Sequence, residues 1–211
     1  MIHRIHKAIN SRIKRFFNKF GGGGNSINGI SLFRRLKNLE INGTGNTIIL
    51  KSNLSKSVKI VLYGNNHKLI IEEDVVFKQG TIWFEDYGCE IHIGVGTTIE
   101  QADLAVAENG TKLIIGNDCM FSRGIHIATT DSHSVINVMT GERTNHAKDV
   151  IIGNHVWLGY CVSIGKGVCI GNNAVVAGHS VVTKSVPCNT IVAGNPAMVV
   201  KDGTTCNRIR I

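Results

Sequence analysis

The sequence predicts an all-β protein in which the chain winds as a parallel β-helix with a triangular cross-section. Three observations support this prediction. An aliphatic residue recurs at every sixth position in the C-terminal half, a repeat of 22 residues runs through the N-terminal half, and glycine is abundant while aromatic residues are scarce. Gly accounts for 24 of the 211 residues and aromatic residues for 6%. Such a composition is typical of a slender aliphatic core with many tight turns.

The six-residue period runs over residues 152–187 without interruption. Its defining aliphatic residues are Ile152, Leu158, Ile164, Ile170, Val176 and Val182. Four positions after each comes a second small or aliphatic residue: Val156, Val162, Val168, Ala174, Ser180 and Val186. On an α-helix a step of six turns the side chain by about 600°, away from a common face. The period instead fits a short strand and a tight corner, three of which close a coil of 18 residues whose aliphatic side chains point inward.

The longer repeat predicts wider coils in the N-terminal half. Its members are spaced by 22 residues: Ile49, Ile71, Ile93 and Ile115. A second register at the same spacing, Asn66, Gly88 and Gly110, marks turns. Together the two repeats predict about seven stacked coils.

Two segments depart from the repeats. Residues 129–149 are polar and have no six-residue register, so we expect a loop that leaves the coil. Residues 2–20 place apolar residues at helical spacing before GGGG at 21–24, which predicts an α-helix and a hinge. We therefore divide the chain into a helix and hinge over 1–24, a β-helix over 25–201 and a C-terminal tail over 202–211.

The net charge of +8 is concentrated at the N-terminus, where residues 1–20 hold six basic residues and no acidic residue. Two interpretations stand for this segment: it caps the open end of the β-helix, or it contacts an anionic membrane surface. Nucleic-acid binding is disfavoured, because no basic face interleaved with aromatic residues follows the hinge. The six cysteines show no C-x-x-C spacing, which favours free thiols in a reducing compartment. With no membrane span or signal peptide evident, we expect a cytoplasmic protein that is at most peripheral to the inner membrane.

Residues 41–201 resemble the hexapeptide-repeat acyltransferases, whose fold is a left-handed parallel β-helix. The segments NHVWLG (154–159), VVTKSVP (181–187) and AGNPAMVVK (193–201) are similar to the terminal coils of sugar O-acetyltransferases. The segment TDSHSVINVMTGERTNHAKDVIIGNHVWLG (130–159) is most similar to bacterial capsule enzymes that O-acetylate sialic-acid polymers. The resemblance implies a homotrimer, acetyl-CoA sites between neighbouring prisms, and a glycan acceptor.

The same resemblance implies the site residues. The catalytic histidine maps to His133 in the D-S-H segment, and the tryptophan beside the active site maps to Trp157. The positions that contact CoA map to Tyr160, Gly178, Thr183, Lys184 and Lys201. This chain departs from the galactoside enzymes, which have Pro where Ser134 stands and a smaller residue where Tyr160 stands.

Acetyl transfer to a hydroxyl requires a base, donors for the oxyanion, and release of a thiolate. Imidazole is a suitable base near neutral pH, which makes His133 the candidate. Either Asp131 or Glu142, both in the same loop, could hold the ring by its second nitrogen. A backbone N–H at a corner is the expected oxyanion donor. Trp157 falls at an outward position, where it could stack against sugar or pantetheine.

Several alternatives remain open from the sequence. The same histidine could serve an N-acetyltransferase acting on an amino sugar, or a galactoside- or maltose-type enzyme acting on a small sugar. The chain could also be a non-catalytic β-helix scaffold. Zinc-binding β-helix proteins use three histidines, and this chain has His126, His146, His155 and His179. The AGNPA segment and the loop histidine argue against zinc, so we expect no metal.

Overall fold

The computed structural model describes residues 23–29 and 38–211, and each regular element within them is a β-strand in one of three seven-stranded sheets. Sheet 1 contains β1 (Ser26–Gly29), β3 (Thr47–Leu50), β5 (Lys68–Ile71), β8 (Glu90–Ile93), β11 (Lys112–Ile115), β14 (Val150–Ile152) and β17 (Cys169–Ile170). Sheet 2 contains β2 (Leu39–Asn42), β4 (Ser57–Tyr63), β7 (Gln79–Phe84), β10 (Ala102–Val106), β13 (Ile125–Ala128), β16 (Ser163–Ile164) and β19 (Val181–Val182). Sheet 3 contains β6 (Val76–Phe77), β9 (Thr98–Ile99), β12 (Met120–Phe121), β15 (Trp157–Leu158), β18 (Val175–Val176), β20 (Ile191–Gly194) and β21 (Ala197–Lys201).

The strands β1 to β4 alternate between sheets 1 and 2. From β5 to β19 the chain passes through sheet 1, sheet 3 and sheet 2 in turn, and each circuit lays new strands beside those of the circuit before. Neighbouring strands are parallel, except that β21 folds back antiparallel against β20. The sheets are the three faces of a left-handed β-helix of about seven coils, which confirms the fold class predicted from the sequence. We name the three edges of this prism corner 1–3, corner 3–2 and corner 2–1, after the sheets they join.

The six-residue period marks the core, as predicted. All the residues that define its two registers are buried, with at most 6% of any one exposed. Successive coils place like positions side by side: Ile152 pairs with Ile170, and Ile164 pairs with Val182. The inward side chains therefore stack along the axis, and each coil buries its apolar surface against its neighbours.

The longer repeat is confirmed at its turns and wrong at one strand position. Asn66, Gly88 and Gly110 all have positive φ angles, of 58°, 66° and 78°, as turn residues should. Ile49, however, pairs with Ile70, and it is Leu50 that pairs with Ile71. The coil between them takes 21 residues, as the Asn46–His67 spacing shows, whereas the following coil takes 22. Because side chains alternate along a strand, this shift of one residue turns Ile49 outward.

Asparagine side chains join successive coils at corner 1–3, where the strand ladder is interrupted. The amide oxygen of Asn117 accepts a hydrogen bond from the backbone N–H of Val95 at 2.9 Å. Asn154 accepts in the same way from Asn117, and Asn172 from Asn154, each at 2.8 Å. These asparagine side chains satisfy backbone N–H donors that would otherwise lack a partner at the corner.

The predicted loop leaves the prism at corner 2–1, between β13 and β14, and comprises residues 129–149. Equivalent positions Asn117 and Asn154 lie 37 residues apart across the coil that contains it, whereas Asn154 and Asn172 lie 18 apart on the next. The loop is therefore an insertion into an otherwise regular coil. We call it the excursion loop.

The predicted N-terminal helix falls in residues outside the described ranges. The described residues include no helix long and apolar enough to cross a membrane. At the other end the chain does not stop at β21: residues 202–211 run back along corner 1–3. There the guanidinium of Arg208 donates hydrogen bonds to the Asp118 carboxylate, the Thr98 hydroxyl and the carbonyls of Gly96 and Cys119.

Candidate active site

The excursion loop is held on one side by a glutamate of the preceding coil. Glu108 lies at corner 2–1 and accepts two hydrogen bonds from the guanidinium of Arg143, at 2.9 and 2.5 Å. The Thr130 hydroxyl and the backbone N–H of Ala147 donate to the same carboxylate, at 2.8 and 3.2 Å. The hydrogen bond from Arg143 lowers the pKa of Glu108 to about 2. This carboxylate is therefore an ionised anchor at any physiological pH.

A lysine of the following coil holds the other side. Lys166 lies at corner 2–1 between two glycines, and its side chain is only 17% exposed. Its ammonium donates to the Asp131 carboxylate at 2.5 Å and to the backbone carbonyl of Asn145 at 2.6 Å. Hydrogen bonds from Lys166 and then from Asn145 lower the pKa of Asp131. The base of the excursion loop is thus fixed to the coils on both sides of it.

His133 lies on this anchored base with its side chain exposed. Its backbone is held at both ends: the N–H donates to the Asp131 carbonyl, and the C=O accepts from the Asn145 side-chain amide, each at 2.8 Å. Within the described residues neither ring nitrogen has a hydrogen-bond partner. The arrangement fixes the backbone that carries the imidazole and leaves both ring nitrogens available to a ligand.

Neither carboxylate that could orient the ring contacts it in this chain. Asp131 is engaged by Lys166 and Asn145. Glu142 lies near the exposed tip of the excursion loop, where its backbone carbonyl accepts from the N–H of Asn137 at 2.8 Å. The structure therefore places Asp131 as a partner of the loop base, beside His133 in sequence but directed at other groups.

Trp157 occupies the outward position of β15, as predicted, and is 44% exposed. It pairs with Met120 on one side and Val175 on the other, at the middle of sheet 3. The excursion loop leaves from corner 2–1, which is the edge opposite sheet 3 in a three-sided prism. His133 and Trp157 of one chain are therefore on opposite sides of the molecule.

The residues mapped to CoA contacts fall into three places. Tyr160 and Gly178 are neighbours on successive coils at corner 3–2, and a Cβ added at Gly178 would lie 3.1 Å from the Tyr160 carbonyl oxygen. The Tyr160 ring is 53% exposed and makes an edge contact with His179, with centroids 5.3 Å apart. Thr183 and Lys184 lie exposed at corner 2–1, one coil beyond Lys166. Lys201 ends β21, on sheet 3.

The four histidines weighed as zinc ligands are dispersed. His126 lies on sheet 2, His146 in the excursion loop, His155 at corner 1–3 and His179 at corner 3–2. His155 already lies against Asp118, with Nδ1 2.6 Å from a carboxylate oxygen. Among the residues that the structure describes, no group of three His, Cys, Asp or Glu side chains could hold a metal ion.

Sequence reasoning missed the anchors Glu108, Arg143 and Lys166, and the central Asn145. A signal existed for two of them. Glu108 is a charged residue at corner 2–1 one coil before the excursion, and Lys166 is a charged residue at the same corner one coil after it. Their partners could not be read from the pattern, because the excursion loop has no repeat of its own.

Comparison with known proteins places this geometry in a family. No family model matches the chain. A polysialic acid O-acetyltransferase of Neisseria meningitidis is 42% identical over 130 residues, which are 61% of this chain and 60% of that protein. The crystal structure of the polySia-specific acetyltransferase NeuO has a TM-score of 0.77 at 31% identity, covering 88% of this chain and 86% of that one. The polysialic acid O-acetyltransferase OatWY has a TM-score of 0.73 at 37% identity, covering 90% and 87%.

The chain belongs to the hexapeptide-repeat sugar O-acetyltransferases. The resemblance drawn from the sequence is therefore confirmed. The chain spans about 60% of the curated Neisseria relative that it matches. Within this family the excursion loop, with its exposed imidazole, is the candidate for the catalytic element of this member.

Proposed function

We propose that the chain is an acetyl-CoA-dependent O-acetyltransferase that acetylates a sugar hydroxyl of a surface polysaccharide. The observation that carries the proposal is His133, which lies on a loop anchored to the prism on both sides. Its imidazole is exposed, and its ring nitrogens have no partner among residues 23–29 and 38–211. The names of the relatives support a sialic-acid polymer as the acceptor.

In this reaction His133 is the general base. It removes the proton of the sugar hydroxyl while the oxygen attacks the thioester carbonyl of acetyl-CoA. The C–O bond forms, the tetrahedral oxyanion collapses, and the C–S bond breaks to release the CoA thiolate. The imidazolium then returns its proton to the thiolate. The proton therefore travels from hydroxyl to sulfur through one ring, and no metal is required.

The site we propose is shared between two copies in a homotrimer. His133 and Trp157 of one chain are on opposite sides, so a loop from one prism meets a tryptophan only on a neighbour. Cyclic assemblies place the same two different surfaces together at each interface. In this arrangement Trp157 provides an apolar wall for the sugar or the pantetheine arm of the partner's site.

Charge supports the remaining contacts. Lys184 and Lys201 are exposed, and neither has an ion-pair partner in the part of the chain that the structure describes. Ammonium groups of this kind suit the phosphates of CoA as point charges. Thr183 lies beside Lys184 at corner 2–1, while Tyr160 and Gly178 lie at corner 3–2, on the other edge of sheet 2. We assign these five residues to CoA.

The central test replaces His133 with Ala and measures acetyl-CoA turnover on sialylated, neutral and amino-sugar glycans. We expect kcat to fall by about 10²- to 10⁴-fold, the usual contribution of a positioned base. His146→Ala is the matched control, because His146 is also exposed in the excursion loop, and we expect it to keep full activity. Full activity of His133→Ala would overturn the proposal.

A second measurement separates O-acetylation from the amino-sugar alternative. An acetyl ester is cleaved by mild alkali, whereas an amide survives. Loss of the added acetyl group in alkali supports the ester assignment, and its persistence supports N-acetylation.

A further inference from the structure

We infer that Asn145 is a positioning residue that fixes the catalytic imidazole, acting through the backbone on either side of His133. The inference rests on the proposed function, since it assumes that His133 is the base. It adds a residue that the sequence did not single out and assigns its side-chain amide a specific task.

The amide of Asn145 uses its whole hydrogen-bonding capacity on the segment that carries His133. Its NH₂ group donates to the His133 carbonyl and to an Asp131 carboxylate oxygen, both at 2.8 Å. Its oxygen accepts from the backbone N–H of Val135 at 2.7 Å and from the guanidinium of Arg143 at 3.2 Å. An amide offers two donors and two acceptor sites, and here all four are in use.

These contacts lock the residues before and after the base. Asp131, His133 and Val135 are every second residue of one segment, and Asn145 holds one atom of each. His133 can therefore change its backbone direction only by breaking hydrogen bonds to Asn145. Its ring, which has no partner of its own among the described residues, takes its position from this backbone.

Asn145 is in turn tied to the rigid prism through both anchors. Its own carbonyl accepts from the Lys166 ammonium at 2.6 Å and from Arg143 at 3.3 Å. Lys166 belongs to the coil after the excursion, and Arg143 is paired with Glu108 of the coil before it. Asn145 thus connects the segment that bears the base to the coils before and after the excursion, so the position of the base follows that of the core.

The chemistry explains why an amide is needed here. A carboxylate at position 145 would face the Asp131 carboxylate and the His133 carbonyl, and like charges at hydrogen-bond distance repel. An apolar side chain would leave the Val135 N–H and the Asp131 oxygen without this partner. Only a group with donors on one side and an acceptor on the other satisfies the segment.

The test compares Asn145→Ala and the nearly isosteric Asn145→Asp with wild type in steady-state assays. Misplacing a reacting group by about 1 Å costs roughly 10²-fold, so we expect kcat to fall by about 10- to 100-fold in both variants. The KM for acetyl-CoA, the trimer and the melting temperature should stay near wild type, since the amide touches neither the core nor the residues assigned to CoA. A purely structural role would instead be seen in the melting temperature.

Asn137→Ala is the matched control. Asn137 lies in the same loop, and its side chain accepts from the N–H groups of Met139 and Thr140, at 2.9 and 3.3 Å. These two hydrogen bonds do not involve the segment of residues 131–135 that carries His133. We expect it to keep wild-type kcat. Wild-type kcat in Asn145→Asp, or an equal loss in Asn137→Ala, would overturn the inference. If His133→Ala is inactive while Asn145→Asp is normal, the proposed function stands and this inference alone fails.

Discussion

Glycines that look equivalent in the sequence have different surroundings in the prism. Gly165 and Gly171 both follow the aliphatic residue of a hexad. A Cβ added at Gly171 would lie 2.4 Å from the backbone nitrogen of Cys188 on the next coil, whereas at Gly165 the nearest atom would be 3.6 Å away. Neither glycine has a left-handed φ. Close approach of backbones, not conformation, therefore requires glycine at position 171.

We predict opposite effects of alanine at these two positions. Gly171→Ala should destabilise the protein by about 1–3 kcal/mol, because the new methyl group forces two coils apart. Gly165→Ala should be neutral or stabilising by up to about 1 kcal/mol, since alanine restricts the unfolded chain without a clash. Denaturant unfolding of both variants under identical conditions measures the difference. Equal stabilities would contradict the predicted contact at Gly171.

The C-terminal segment, residues 202–211, shows how an element without a repeat pattern is fixed to the prism. The His155 ring lies with Nδ1 2.6 Å from an Asp118 oxygen and Nε2 3.1 Å from the Cys206 carbonyl. Arg208 donates to the other Asp118 oxygen at 2.6 Å. Thr204 donates from its backbone N–H to the Asn189 carbonyl at 2.9 Å. The segment is thus attached across several coils at corner 1–3.

These attachments depend on pH through two groups. The Cys206 carbonyl and then the Asp118 carboxylate raise the pKa of His155 above its usual 6.5. Burial acts to raise the pKa of Asp118, but hydrogen bonds from His155 and Arg208 outweigh it and leave the pKa below 3.8. The stabilisation that protonated His155 gives to the attached segment is complete below pH 6.5 and is lost as pH rises through its raised pKa. The stabilisation that the ionised Asp118 carboxylate gives to the segment is complete above pH 3.8 and is lost as pH falls through its lowered pKa.

We therefore predict that the segment is held most firmly between about pH 4 and 6.5, within the limits set by the two usual pKa values. Amide hydrogen exchange of residues 203–209, corrected for intrinsic rates, should show more protection at pH 6 than at pH 8.5. His155→Asn should reduce this difference, because asparagine tolerates the positive φ of 54° and does not titrate. Arg208→Ala should lower protection at both pH values. Protection independent of pH in wild type would contradict the assignment.

At the scale of the whole molecule, the separation of His133 from Trp157 predicts complementation between inactive chains. His133→Ala and Trp157→Ala homotrimers should each have little activity. When both chains assemble together, a site is intact wherever a Trp157→Ala chain supplies the histidine and a His133→Ala chain supplies the tryptophan. Random cyclic assembly makes about one quarter of the sites intact, and turnover should recover to roughly that fraction of wild type.

The control for complementation is a mixture of the two purified homotrimers that have not been allowed to exchange subunits. This mixture should stay as inactive as its components. If co-assembled trimers, verified by differential tags, show no recovery, the site lies within one chain and the shared site is wrong.

The sequence alone determined the repeat and most of the core. A six-residue period with aliphatic and small positions specifies which side chains point inward, because burial in stacked coils depends only on local spacing. The excursion loop was evident as a break in that period, and the family resemblance suggested the roles that we propose for His133 and Trp157. The register was less secure: one coil of 21 residues among coils of 22 displaced Ile49 to the outside.

Only the tertiary structure decided which side chains meet. Glu108 and Arg143 are 35 residues apart, as are Asp131 and Lys166, and they come together because successive coils stack around the insertion. The structure also directed Asp131 toward Lys166 and placed Trp157 on the face opposite the loop. Local spacing fixes whether a residue faces in or out, but contacts between coils depend on the exact number of residues in each turn and on the path of the loop.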